Sequence, residues 1–96
     1  MELVKISVRF SQRLKLIFDN IKPRDKTNDG FLRELFDECS DVIEKVSYDL
    51  GENLRPYCLR LSPELVKRLD YLGNRLGLSR SEVIRRLIYA RAKKLC

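Results

Sequence analysis

The hydrophobic period of this chain changes between Leu61 and Leu65, and that change limits what the surrounding segment can fold into. Before it, Tyr57, Leu59 and Leu61 alternate with Cys58 and Arg60, the period-two pattern of a strand with one buried face. After it, Leu65, Leu69, Leu72 and Leu76 recur at helical spacing along one apolar stripe. Ser62-Pro63-Glu64 marks the junction: a serine N-cap, a proline at the first helical position and an acid in the first turn. Gly77 suits the left-handed position just past a helix end. Ser79 and Glu82 then form a capping box, and Val83, Ile84, Leu87, Ile88 and Leu95 supply the buried side of a second helix. Residues 55–95 therefore read as strand, helix, tight turn, helix.

The first half has the same order. Val4, Ile6, Val8 and Phe10 alternate with Lys5, Ser7 and Arg9. Ser11 precedes a short helical stripe of Leu14, Phe18 and Ile21, which Pro23 stops. Thr27 is a candidate N-cap for a longer helix traced by Phe31, Leu32, Leu35, Phe36, Cys39, Val42, Ile43 and Val46. When the halves are overlaid, Phe10 falls on Leu61, Arg9 on Arg60, Ser11 on Ser62, Leu14 on Leu65 and Phe18 on Leu69. One residue is missing in the first turn; beyond it Thr27 falls on Ser79, Phe31 on Val83, Leu32 on Ile84 and Leu35 on Leu87. Identity is low, but buried positions and caps stay in register, which predicts an internal repeat. Its units are residues 1–46 and 57–96, joined by a linker over 47–56 that holds Gly51, Asn53 and Pro56.

Each unit is below the size that usually buries a sufficient core. The expected fold is mainly α with a short two-stranded antiparallel β-ribbon, the two strands pairing within one chain as an intramolecular pseudo-dimer. Together the units would form one compact domain.

The order strand, helix, turn, helix, with Leu-Arg-Leu before the first helix and Gly-Leu-Ser-Arg-Ser between the helices, resembles the ribbon-helix-helix (MetJ/Arc-type) family of DNA-binding regulators. The tandem arrangement is similar to that of some archaeal viral transcription regulators. The resemblance implies a ribbon that enters the DNA major groove and helix N-termini that bind the phosphate backbone. The outer ribbon face would then read bases through Lys5, Ser7, Arg9, Cys58 and Arg60. Arginine can pair with guanine O6 and N7, and serine can donate or accept. Pro56 stands where the first unit has Lys5, so an asymmetric subsite is expected instead of a palindromic one. The phosphate contacts would come from Ser79, Arg80 and Ser81, from Arg55, and from Thr27 and Asn28. Asp29 is an acid where the first unit's phosphate should approach, and Asp25 lies nearby, so the firm clamp is expected from the second unit and a weak or absent one from the first.

Charge agrees with that asymmetry. The net charge is +6; residues 1–48 hold nine Lys/Arg and nine Asp/Glu, whereas residues 49–96 hold eleven against five. A basic excess confined to one half fits a phosphate-facing surface. Arg85, Arg86, Arg91, Lys93 and Lys94 read as a mainly solvated helix face, and Asp37, Glu38, Asp41 and Glu44 as a solvated or partner-facing acidic one.

Other classes find little support. There is no histidine, and Cys39, Cys58 and Cys96 lie far apart, so no zinc site or cofactor is expected. The odd cysteine count reads against a disulfide framework, with Cys39 as a free core residue. No apolar run exceeds four residues, so neither a membrane span nor a signal peptide is expected, and the location reads as intracellular, in host cytoplasm if the protein is viral. No constellation points to an enzyme. The expected partner is double-stranded DNA, bound by a regulator that acts as a repressor, with a homodimer or higher oligomer forming on DNA. The competing reading is an assembly module of the same fold, such as an antitoxin-like partner-binding protein.

Overall fold

A computed structural model of the chain describes residues 2–46 and 53–96. Strand β1 (Val4–Phe10) leads into helices α1 (Gln12–Ile21) and α2 (Asn28–Cys39), followed by a single 3-10 turn at Ile43–Lys45. Strand β2 (Arg55–Leu61) leads into α3 (Pro63–Leu76) and α4 (Arg80–Ala92). Strand β2 thus takes in Arg55 and Pro56 from the end of the segment read as the linker, whose residues 47–52 lie outside the described ones. Pro56 is tolerated because a two-stranded ribbon leaves one side of each strand unpaired, where a missing N–H costs nothing.

Each of the four α-helices among the described residues opens on a hydroxyl. Ser11 Oγ accepts from the Leu14 N–H at 3.1 Å, Thr27 Oγ1 from Gly30 at 3.0 Å, Ser62 Oγ from Leu65 at 3.3 Å and Ser79 Oγ from Glu82 at 3.1 Å. Each cap satisfies an N–H that has no acceptor within its own helix. The α3–α4 turn depends on two glycines. Gly77 adopts φ +72°, and the N–H groups of Gly77 and Leu78 both reach the Gly73 carbonyl. A Cβ on Gly73 would lie 2.6 Å from the Leu78 carbonyl oxygen, so the turn closes only over a bare Cα.

The strands pair antiparallel, from Val4 opposite Leu61 to Phe10 opposite Arg55. Ile6, Val8, Phe10, Leu59 and Leu61 are buried on the inner face. Val4, in phase with them, lies at the ribbon end and is 39% exposed. Beneath the ribbon the Phe10 ring stacks on Phe18 with centroids 6.0 Å apart, and Phe18 meets Phe31 at a tilt with centroids 5.8 Å apart. Packing crosses between the halves: α4 lies against β1, α1 and α2 as well as its own α3, while α2 lies against β2. Neither half encloses a core by itself.

Several expectations fail at the ends of elements. The long helix expected to run to Val46 stops at Cys39. Val42, Ile43 and Val46 are β-branched and lose side-chain freedom in a helix, and the Val42 and Lys45 N–H groups make tighter three-residue bonds to Cys39 and Val42. Ile43 and Val46 still reach the core. Leu95, read as buried, is 54% exposed because the chain reverses at Lys94 (φ 58°), where the Leu95 N–H returns to the Ala90 carbonyl. That reversal brings Cys96 to Cys39, with Cα atoms 5.3 Å apart, and the two form a disulfide. Cys39 is buried as expected but is not free. An odd cysteine count leaves one thiol over; it cannot forbid a pair, and here the residual thiol is Cys58.

Candidate nucleic-acid interface

Alternation along the paired strands turns Lys5, Ser7, Arg9, Cys58 and Arg60 to the outer face of the ribbon, and all five are exposed. The register decides their neighbours. Lys5 stands opposite Arg60 at one end, Ser7 opposite Cys58 in the middle, and Arg9 opposite Pro56 at the other end. The side chains of Lys5, Arg9 and Arg60 enter none of the ion pairs formed among the described residues. Two cations placed directly across a strand pair repel one another, so the Lys5–Arg60 end gains nothing in the free protein from carrying both.

Each end of the ribbon is tied to the N-terminus of the helix from the other half. At the Arg9–Pro56 end, the Arg9 N–H donates to Ser81 Oγ at 3.2 Å, and Arg85 Nη1 donates to the Arg9 carbonyl at 2.7 Å. Arg85 is only 7% exposed and its other arm binds Glu82 at 2.7 Å. At the Lys5–Arg60 end, the Ser62 N–H donates to Asp29 Oδ1 at 2.7 Å, while Arg33 bridges Ser62 Oγ at 2.7 Å and Asp29 Oδ2 at 3.1 Å. Burial disfavours the charge on Asp29, but the Ser62 N–H, Arg33 and the Ser62 hydroxyl outweigh it and leave the carboxyl below its ordinary range. Glu82 is governed by the same opposition: burial raises its pKa, and Arg86 and Arg85 lower it further than burial raises it.

Arg85, expected on a solvated face, is instead buried and bound to the ribbon backbone. Arg33 and Arg85 occupy matching positions one residue after Leu32 and Ile84, so the recurrence of arginine there was the available sequence signal. The same correction applies to its neighbours. Arg86 donates to the Ile43 carbonyl at 3.1 Å and to Glu82 at 2.9 Å, and Arg91 binds Glu38 at 2.7 Å. Lys26 pairs with Glu34. Through Arg91, part of the basic excess of the second half is matched internally by the acidic outer side of α2.

Among the phosphate candidates, Ser79 and Thr27 serve as caps and Ser81 holds Arg9. The Arg80 guanidinium makes a bidentate pair with Asp70, both contacts at 2.8 Å. That bond holds the Asp70 carboxyl below its usual value and raises Arg80. What α4 offers an anion is thus its first-turn backbone N–H groups at Arg80 and Ser81 rather than the Arg80 side chain. Asn28 holds the corresponding position in α2, next to the committed Asp29. Arg55 lies opposite Phe10, in the phase of the inner face, and is exposed beside Gln12, Arg13 and Leu16 of α1, off the outer ribbon face.

Among the described residues no group of three or more metal-ligating side chains comes together, and no helix is long and apolar enough to cross a membrane. Residues 59–95 match the ribbon-helix-helix proteins of the copG family. The whole chain is similar to "Uncharacterized protein 29" of Sulfolobus islandicus filamentous virus (isolate Iceland/Hveragerdi), with 34% identity over 96 residues that span 100% of both chains. No solved structure matches. The chain belongs to the family of that viral protein, and its residues 59–95 are similar to the ribbon-helix-helix proteins.

Proposed function

We propose that this protein is a sequence-specific regulator of transcription that binds double-stranded DNA as an intramolecular pseudo-dimer of two ribbon-helix-helix units. The observation that carries this reading is the ribbon. Its inner face is core, its outer face exposes Lys5, Ser7, Arg9, Cys58 and Arg60, and its ends are flanked by two helix N-termini. A two-stranded ribbon fits the width of the major groove, where base edges are distinguishable. The pairing register supports the pseudo-dimer: in the overlay Ser7 falls on Cys58, and the same two residues face each other, as a two-fold axis through the ribbon centre requires. Units of residues 1–46 and 57–96 then correspond to the protomers of an ordinary dimer.

On this reading the outer ribbon side chains read bases. The N–H groups at Ser79–Ser81 and, more weakly, at Thr27–Asn28 hold phosphates, and Arg55 reaches the backbone from one side. Occupying a promoter blocks polymerase without further chemistry, so the regulator acts as a repressor. Selection of DNA ligands from a random pool by the purified chain, repeated with Arg9→Ala and Arg60→Ala over a salt series, tests the reading. One short motif for the wild type, relaxed in the variants with little change in salt slope, is the expected result. Uniform binding across sequences, or variants that select like the wild type, would overturn it.

A further inference from the structure

Resting on the DNA-reading role just proposed, we infer that the ribbon is polar: its Lys5–Arg60 end supplies most of the base discrimination, and its Arg9–Pro56 end supplies most of the phosphate grip. The register is the first observation. A ribbon with two identical strands would present the same pair of residues at both ends. Here one end sets Lys5 beside Arg60, two unpaired cations about 5 Å apart at their backbones, whereas the other offers Arg9 alone, because Pro56 has no polar side chain.

The second observation is which helix flanks which end. The Arg9–Pro56 end is held by Ser81 and Arg85 of α4, whose first turn carries no aspartate and whose Glu82 is bound by Arg85 and Arg86. The Lys5–Arg60 end is held by α2 through Asp29, an acid that repels phosphate even while paired with Arg33. The end richer in base-reading groups thus has the poorer phosphate site, and the reverse holds at the other end.

The spacing follows from strand geometry. From Lys5 to Arg9 the backbone advances roughly 13 Å, about four base steps at 3.4 Å each. The expected site is non-palindromic: two adjacent guanine-containing pairs read by Lys5 and Arg60, and a single weaker position roughly four steps away read by Arg9.

The test combines ligand selection with guanine-N7 methylation interference on the intact chain. The wild type is expected to show two neighbouring sensitive guanines at one end and one at the other. Lys5→Ala and Arg60→Ala should each relax preference at the same end, by roughly five- to hundredfold against the wrong base, and Pro56→Lys should make the selected motif more symmetric. Thermal melts establish that the variants fold, and the interference pattern of the wild type needs no variant at all. A palindromic wild-type motif, or Lys5→Ala and Arg60→Ala relaxing opposite ends, would overturn the polarity while leaving DNA reading intact. Uniform binding by the wild type would overturn both.

Discussion

Lys5 and Arg60 show how a residue can be placed against the interest of the free fold. They face each other with no acid between them, so exchanging one charge should relieve repulsion. Lys5→Glu is expected to raise stability to urea by on the order of 0.5 kcal/mol and, on the proposed DNA-reading role, to abolish selective DNA binding; a matched pair of denaturation curves and binding titrations checks both halves. Asp29 is the opposite case. It places an acid at the N-terminus of α2, and it is also the acceptor that ties the ribbon end at Ser62. Its carboxyl, with those of Asp70, Glu82 and Glu34, titrates below its ordinary value in the folded chain. A depressed folded-state pKa contributes stability that is present above the unfolded value and lost as pH falls through the folded one. Stability is therefore expected to hold down to about pH 5 and to fall progressively below pH 4, with Asp29→Asn showing a shallower acid limb. Urea midpoints between pH 7 and 2 measure that slope.

At the scale of elements, local signals were largely legible. The caps at Ser11, Thr27, Ser62 and Ser79 and the left-handed Gly77 all follow from residue chemistry alone. Gly73 was not read, because its requirement comes from the Leu78 carbonyl that folds back over it. Gly77→Ala is expected to cost about 1 kcal/mol for its positive φ, and Gly73→Ala about 2–3 kcal/mol, since backbone must move to admit the Cβ. Equilibrium denaturation ranks the two. The end of α2 was misread for a related reason. Cys39, Ile43 and Val46 keep helical spacing whether the chain is one helix or a helix followed by a 3-10 turn, so periodicity alone could not separate the two.

For the whole molecule, the two halves are interleaved rather than juxtaposed: α4 covers β1 and α2 covers β2. Arg85, Arg86 and Arg91 cross between the halves to Arg9, Ile43 and Glu38, and the Cys39–Cys96 disulfide spans 57 positions to fasten the end of the chain to α2. A link of that span restricts the unfolded chain strongly, so Cys96→Ser is expected to lower stability by about 4 kcal/mol under oxidising conditions. The same variant should show almost no difference from the wild type once reductant is added. Thermal melts with and without reductant distinguish the two cases.

The sequence by itself determined the order of the strands and α-helices, their caps and the five side chains on the outer ribbon face, because period, capping and left-handed glycines are properties of a few neighbouring residues. The tertiary structure alone decided the register that sets Lys5 beside Arg60 and leaves Arg9 with Pro56, the burial of Arg85, the commitment of Arg80 to Asp70, and the pairing of Cys39 with Cys96. Each of these joins residues distant in sequence, and which distant groups meet is fixed by how the two halves pack, which no local pattern encodes.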